Sequence, residues 1–223
     1  MFYLCGMIRV QTFTFNGFQE NTYVISIGNT CVIVDPGCSN KQEESELDRY
    51  IVSENLKPEL LINTHCHIDH VLGNDWVKNK YRIPLLIHEK ELPVLQAVKV
   101  YAPNYGFPTY TEATPDRFIS EGEKIKFGSA SFDVIFVPGH APGHIGLYFK
   151  EEKNLFAGDV LFRESIGRTD LPGGDFDTLI NSIKNKIFTL PDDTIVFPGH
   201  GPATTVGHEK IYNPFCGTGS PDA

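Results

Sequence analysis

The sequence has little that would bind nucleic acid or enter a membrane. Its 19 lysines and arginines are outnumbered by 28 aspartates and glutamates, and the formal charge is -9. The basic residues are scattered rather than gathered, so the electrostatic footprint of a nucleic-acid binder is missing. No apolar run approaches the roughly 20 residues that span a bilayer, and no basic stretch leads into an apolar one near the start. No nucleic-acid or membrane partner is therefore expected, and the protein is expected in the cytoplasm. Five cysteines, Cys5, Cys31, Cys38, Cys66 and Cys216, are odd in number and form no CxxC pair. Free thiols in a reducing compartment fit that pattern.

What is present suits one globular domain. The 223 residues are 41% hydrophobic and 21% charged, with 20 glycines and 15 prolines spread along the chain. That length can bury a full core, and no shift in composition marks a second domain. The domain is placed at residues 7–212, with 1–6 and 213–223 as terminal extensions. No function is assigned to the extensions.

From Ile8 the chain alternates through VQTFTF and NTYVISI to CVIVDPG, which predicts a β meander. Leu47, Ile51 and Val52 recur among charges between residues 41 and 55, as on an amphipathic helix. A buried strand LLIN, a helix over about 71–80, a strand PLLIH and a short helix near 89–98 follow. A loop rich in Pro and Tyr then runs from 101 to 116. The C-terminal half supplies strands FDVIFV, IGLYFK and NLFAGD, a helix around 177–185 and a last strand TIVF. Alternating strands and helices predict helices packed on sheets.

Four of these apolar strands end in a polar residue that burial does not call for. LLINT is followed by His65, VIFVPG by His140, LFAG by Asp159 and TIVFPG by His200. Strands lying in adjacent sheets would deliver these groups to one rim, where Gly139, Gly158 and Gly199 permit tight turns. The first strand end continues as His65-Cys66-His67-Ile68-Asp69-His70. In an extended exit, residues 65, 67 and 69 point one way, and His70 opens the next helix from another angle. A lone histidine beside an apolar run is usually structural, but this density is not. Imidazole and carboxylate suit zinc, iron or manganese, in numbers enough for two adjacent ions. His88, His208 and Trp76 read as structural or core residues. Tyr105 and Tyr110 read first as surface or packing residues, placed where they would also shape a pocket.

THCHIDH, with the later PGHAPGH, AGD and FPGH, resembles the HxHxDH…H…D…H signature of the metallo-β-lactamase superfamily over about residues 7–205. That resemblance implies an α+β chain folded as a four-layer αββα sandwich. It implies one metal on His65, His67 and His140, a second on Asp69, His70 and His200, and Asp159 between them. His144 would orient the site by hydrogen bonds. Two divalent ions are implied, zinc first, with iron or manganese as alternatives.

Within the superfamily, ENTYVI, VDPG, GDVLFRESIGRTDLPGGD and FPGHGP are similar to the glyoxalase II-like group, the hydroxyacylglutathione hydrolases. The commonest zinc β-lactamases instead carry Cys where this chain has Asp159. The resemblance implies a small-molecule thioester substrate such as S-lactoylglutathione, with Arg168 gripping a substrate carboxylate. Asp170 and Pro202 stand where tyrosines line the glutathione site of that group. A water with its pKa lowered toward about 7 would supply the hydroxide nucleophile, with Asp69 as the catalytic carboxylate beside it. Gly167-Arg168-Thr169-Asp170 also resembles the mononuclear-iron persulfide dioxygenases, an alternative reading. A non-catalytic metal-binding protein is the alternative from another class. The pattern leaves the oligomeric state open.

Overall fold

The computed structural model describes residues 7–219. The extension at 1–6, Cys5 and the end of the tail from 220 lie outside these residues. The first sheet comprises β1 (Arg9–Phe15), β2 (Glu20–Ile27), β3 (Thr30–Val34), β4 (Lys57–Ile62), β5 (Leu85–Ile87) and β6 (Arg117–Phe118), in that spatial order. Strands β1 to β3 form the expected antiparallel meander, and β3 to β6 run parallel. The second sheet holds β7 (Lys124–Phe127), β8 (Ala130–Phe136), β9 (Ile145–Phe149) and β10 (Asn154–Gly158). A small ribbon of β11 (Leu161–Phe162) and β12 (Ser165–Ile166) follows, and β13 (Ile195–Pro198) and β14 (Thr204–Thr205) complete the sheet beyond β10.

The helices are α1 (Lys41–Ser53), α2 (Ile68–Val71), α3 (Asn74–Tyr81), α4 (Leu92–Tyr101), α5 (Phe176–Ser182) and α6 (Val206–Tyr212). Side chains alternate across a strand, and here both faces of the central strands are apolar. Val24, Ile33 and Leu61 therefore face Leu47 of α1, Val77 of α3 and Leu95 of α4 in one outer core. Ile25, Val32, Val34 and Ile62 point the other way, against Phe132, Leu147 and Phe156 of the second sheet. Leu155, Ala157 and Val196 cover that sheet's far face against Leu179 of α5 and Val206 of α6. The result is the αββα order of layers. Among the described residues no helix is long and apolar enough to cross a membrane.

Several boundaries differ from expectation for local reasons. The helix expected from residue 71 starts at Ile68 and breaks into α2 and α3. The break passes Gly73, where a Cβ would stand 2.3 Å from the Cys38 sulfur and 2.8 Å from the Pro36 carbonyl oxygen. The short helix near 89–98 runs on as α4 to Tyr101. Strand β14 and α6 were not anticipated, because Thr204-Thr205 is a two-residue edge with no periodicity to read. Residues 213–219 fold back on the domain: Asn213 and Cys216 are buried, and the Asn213 amide donates to Glu209 Oε2 at 2.8 Å. Cys31, Cys38, Cys66 and Cys216 are all free.

Phe156 lies at the centre of the intersheet core, fully buried, with ring centroids of Tyr23, Phe132 and Phe197 4.9 to 5.9 Å away. Its replacement by Ala removes the ring and leaves a cavity, for an expected loss of about 3–5 kcal/mol. Denaturant unfolding measures this. A loss below about 1 kcal/mol would mean that the two sheets do not share this core.

Candidate metal centre

The strand ends expected to share a rim do meet. His65 follows β4 of the first sheet, while His140, Asp159 and His200 follow β8, β10 and β13 of the second. The start of β2 clasps the last of these. Asn21 donates its backbone N–H to Gly199 O at 2.7 Å and its side-chain amide to Pro198 O at 3.1 Å and Gly201 O at 2.8 Å. Glycine at 199 answers a close approach rather than a turn, since a Cβ there would lie 2.1 Å from Asp159 Oδ1.

His65, His67 and His140 form one group. His140 Nε2 lies 3.2 Å from His65 Nε2 and 2.9 Å from His67 Nδ1. The opposite ring atoms fix the tautomers. His140 Nδ1 donates to Arg168 O at 2.7 Å. His65 Nδ1 lies 3.2 Å from Thr64 Oγ1, which in turn donates to Asp35 Oδ2 at 2.6 Å. Lone pairs of His65 and His140 thus face each other. These spacings approach the edge of about 3.3 Å that a tetrahedron with metal–nitrogen bonds near 2.0–2.1 Å requires.

Asp69, His70 and His200 form the second group. Asp69 Oδ2 lies 3.1 Å from His200 Nε2 and 3.5 Å from His70 Nε2. This corrects the reading that residues 65, 67 and 69 share one face. Helix α2 begins at Ile68, so Asp69 turns with the helix away from the first group and joins His70. Asp159 stands between the groups. Its Oδ2 is 3.6 Å from His140 Nε2 and 3.4 Å from His200 Nε2, while Oδ1 is 3.4 Å from His70 Nε2.

A cation fits this arrangement. His70 Nε2 and Asp159 Oδ1 are buried without a hydrogen-bond partner, a costly state for groups that are not coordinating something. Both groups offer the nitrogen and oxygen donors that zinc, iron and manganese accept.

The electrostatics of the two groups differ. Burial, reinforced by the neighbouring imidazoles, holds the His65 pKa well below the ordinary value and brings His67 down to about 3. Burial lowers His140 too, outweighing the opposing charge of Asp159. In the second group burial works against charge on His200, but hydrogen bonds and charge from Asp159 and Asp69 raise its pKa to about 10. Burial likewise opposes charge on His70, and Asp69 and Asp159 raise it well above the ordinary value. Both carboxyls are held low against their own burial, chiefly by His70 and His200.

His144 takes the supporting position expected of it. Its Nε2 accepts the Asp159 backbone N–H at 3.0 Å, and its ring stacks on His65 with centroids 4.6 Å apart. Other supports were not read from the sequence. Asp35 Oδ2 lies 3.2 Å from His70 Nδ1, and its Oδ1 accepts the Thr64 N–H at 2.7 Å. Asp35 closes the apolar strand CVIV, so it carries the same signal as the ligands. Glu20, buried, sits 3.8 Å from His70 Nδ1. Glu91 had no signal in its charged surroundings. It is fully buried and accepts the Cys66 N–H at 2.7 Å and the Gly143 N–H at 2.6 Å. One carboxylate thereby ties the loop bearing His65 and His67 to the loop bearing His140 and His144.

The remaining site residues fall outside the ligand shell. Arg168 lines the cavity in front of the centre, with its guanidinium paired to Asp170 through two contacts of 2.7 Å. Tyr105 lines the same cavity, and Tyr110 and Trp76 pack against the outer core. His88 stacks on Phe136, and His208 pairs with Glu164.

A sandwich of this topology with five histidines and aspartates from both sheets facing one cavity defines a metallohydrolase. A profile of the metallo-β-lactamase superfamily matches residues 15–200, and the chain belongs to that family as a metal-dependent hydrolase. It is similar to the hydroxyacylglutathione hydrolase GloC of Haemophilus influenzae, 37% identical over 93% of this chain and 98% of that one. Among solved structures it is similar to the B3 metallo-β-lactamase BLEG-1, 38% identical with a TM-score of 0.86 over 96% of this chain and all of that one. It is also similar to TTHA1623 in a di-iron-bound form, 37% identical with a TM-score of 0.83 over 92% of this chain and all of that one.

Two tests follow from the geometry. The imidazoles of the first group are shifted toward the neutral form and those of the second toward the protonated form, so filling the His200 group should release more protons than filling the His65 group. Calorimetry in buffers of different ionisation enthalpy counts them, and equal release at both steps would refute the assignment. Glu91→Gln turns one acceptor into a donor facing a buried N–H. Metal affinity should fall about 10- to 100-fold by chelator competition, and an unchanged affinity would remove Glu91 from the support of the centre.

Proposed function

We propose that the chain is a thioesterase cleaving a hydroxyacyl thioester such as S-lactoylglutathione. The observation that carries this reading is the open side of the centre. His67, Asp69, His140, Asp159 and His200 form part of the lining of a cavity of about 1070 Å³, whereas a structural site usually closes on four ligands. The similarity to GloC along nearly the whole of both chains supports the same substrate class.

His65, His67 and His140 would hold one divalent ion and Asp69, His70 and His200 the other, with Asp159 shared. Ions held there, zinc first with iron or manganese as alternatives, would supply Lewis acidity and a water whose pKa is brought to about 7. Asp69, which lines the cavity beside His200, would orient the attacking water by accepting its hydrogen bond. Thr64 and His144 hold the His65 ring, and Glu91 holds the two loops that carry the histidines. The apolar walls limit bulk water around the substrate. A thiol of pKa about 8.5 leaves as thiolate, so no strong protein acid is required at the leaving group. Arg168 supplies a planar fork for a substrate carboxylate. Such a carboxylate would replace Asp170, an exposed partner whose pairing is weak because solvent screens it.

The experiment is elemental analysis of protein purified without added metal or chelator, followed by turnover of S-lactoylglutathione. About two ions per chain and thioester turnover are expected. One iron per chain with oxygen uptake on a persulfide would overturn the reading in favour of dioxygenase chemistry. Asp159→Ala should lose metal and activity together, and full activity at normal metal content would sink the bridging role.

A further inference from the structure

Helix α4 reads LPVLQAVKVY, with only Gln96 and Lys99 plainly polar in the run. Leu95 and Val98 are fully buried in the outer core. Pro93, Val94, Ala97 and Tyr101 recur about one turn apart and line the cavity in front of the metal ligands. A helix on a domain surface needs one apolar stripe to hold it. The second stripe of α4 forms a wall of the pocket: Pro93 and Ala97 in it are exposed, while Val94 and Tyr101 reach the outer core with one side and the cavity with the other.

Phe18 and Phe162 are apolar lining from other segments. Phe18 is 39% exposed although aromatic, and its ring lies 6.1 Å from Tyr105, itself 56% exposed. Outside the ligand set the charged residues lining the cavity are Lys90 and Arg168. Glutathione presents two carboxylates, an ammonium and two amides, each needing a partner once desolvated. The wall along α4 offers few. A lining dominated by apolar and aromatic side chains with a few polar groups at the reacting end is what a ligand's apolar body requires.

We propose that this wall binds a bulky apolar group of the substrate, chain or ring, so that the preferred substrate is a thioester carrying such a group on its acyl or its thiol side. This rests on the thioesterase reading above and specifies the substrate class of the same site.

The test uses the full-length, metal-loaded enzyme and kcat/KM for two series. One varies the acyl group from acetyl and lactoyl to butanoyl and hexanoyl on N-acetylcysteamine. The other keeps acetyl and changes the thiol from N-acetylcysteamine to phenylmethanethiol. A rise of about threefold or more per methylene in the first series assigns the apolar group to the acyl side. A rise of tenfold or more in the second assigns it to the thiol side. Ala97→Glu, at an exposed position that leaves the core intact, should reduce the ratio of favoured to acetyl substrate about tenfold or more, and Ala97→Leu should preserve it. Turnover of every thioester with no dependence on either group overturns this inference and leaves the thioesterase reading standing. A clear dependence that Ala97→Glu does not alter overturns the assignment to α4. No turnover of any thioester by fully metal-loaded protein overturns both.

Discussion

The structure depends on an electrostatic demand at the meeting of the two sheets. His140 Nε2 lies 3.2 Å from His65 Nε2, lone pair toward lone pair, and 2.9 Å from His67 Nδ1, and Asp69 and Asp159 converge on His70 and His200. Groups of that kind held close in a buried place repel or remain unsatisfied unless a cation lies among them. The surrounding architecture maintains the arrangement: apolar strands are cut short at the rim, glycines remove side chains that would collide, and Glu91, Asp35 and His144 fix backbone and ring orientations.

Division of labour between the groups follows from their neighbours. The first consists of imidazoles alone, so burial keeps it neutral and ready to donate. The second mixes imidazole with carboxylate, so its histidines are shifted toward the protonated form. Asp159 touches both and couples them. The cavity then sets what approaches this centre, with α4 on one side and the loop bearing Arg168 on another.

The layers and the ligands were legible in the sequence because each rests on a local signal. Period-two alternation marks the strands, and a histidine or aspartate closing an apolar strand violates the pattern at His65, His140, Asp159 and His200. Asp35 carried the same signal inside VDPG but was not read as part of the site. Other features depend on contacts between distant segments. Glu91 looks like one surface charge among several until the loops at Cys66 and Gly143 close over it. The direction of Asp69 depends on helix α2 starting at Ile68, three residues before the apolar period suggested. The second stripe of α4 is visible as composition, yet only the fold reveals which stripe the core uses.

The clasp between Asn21 and the loop at Gly199 has a consequence for assembly of the centre. The ligands span residues 65 to 200 and come from both sheets, so no early piece of the chain can hold both ions. A bound pair of ions would act as a cross-link closing a long loop, and such a link stabilises most by restricting the unfolded chain. Such a pair would be a late rivet between two halves that must already have found each other, and its removal would act first on the joint between the sheets.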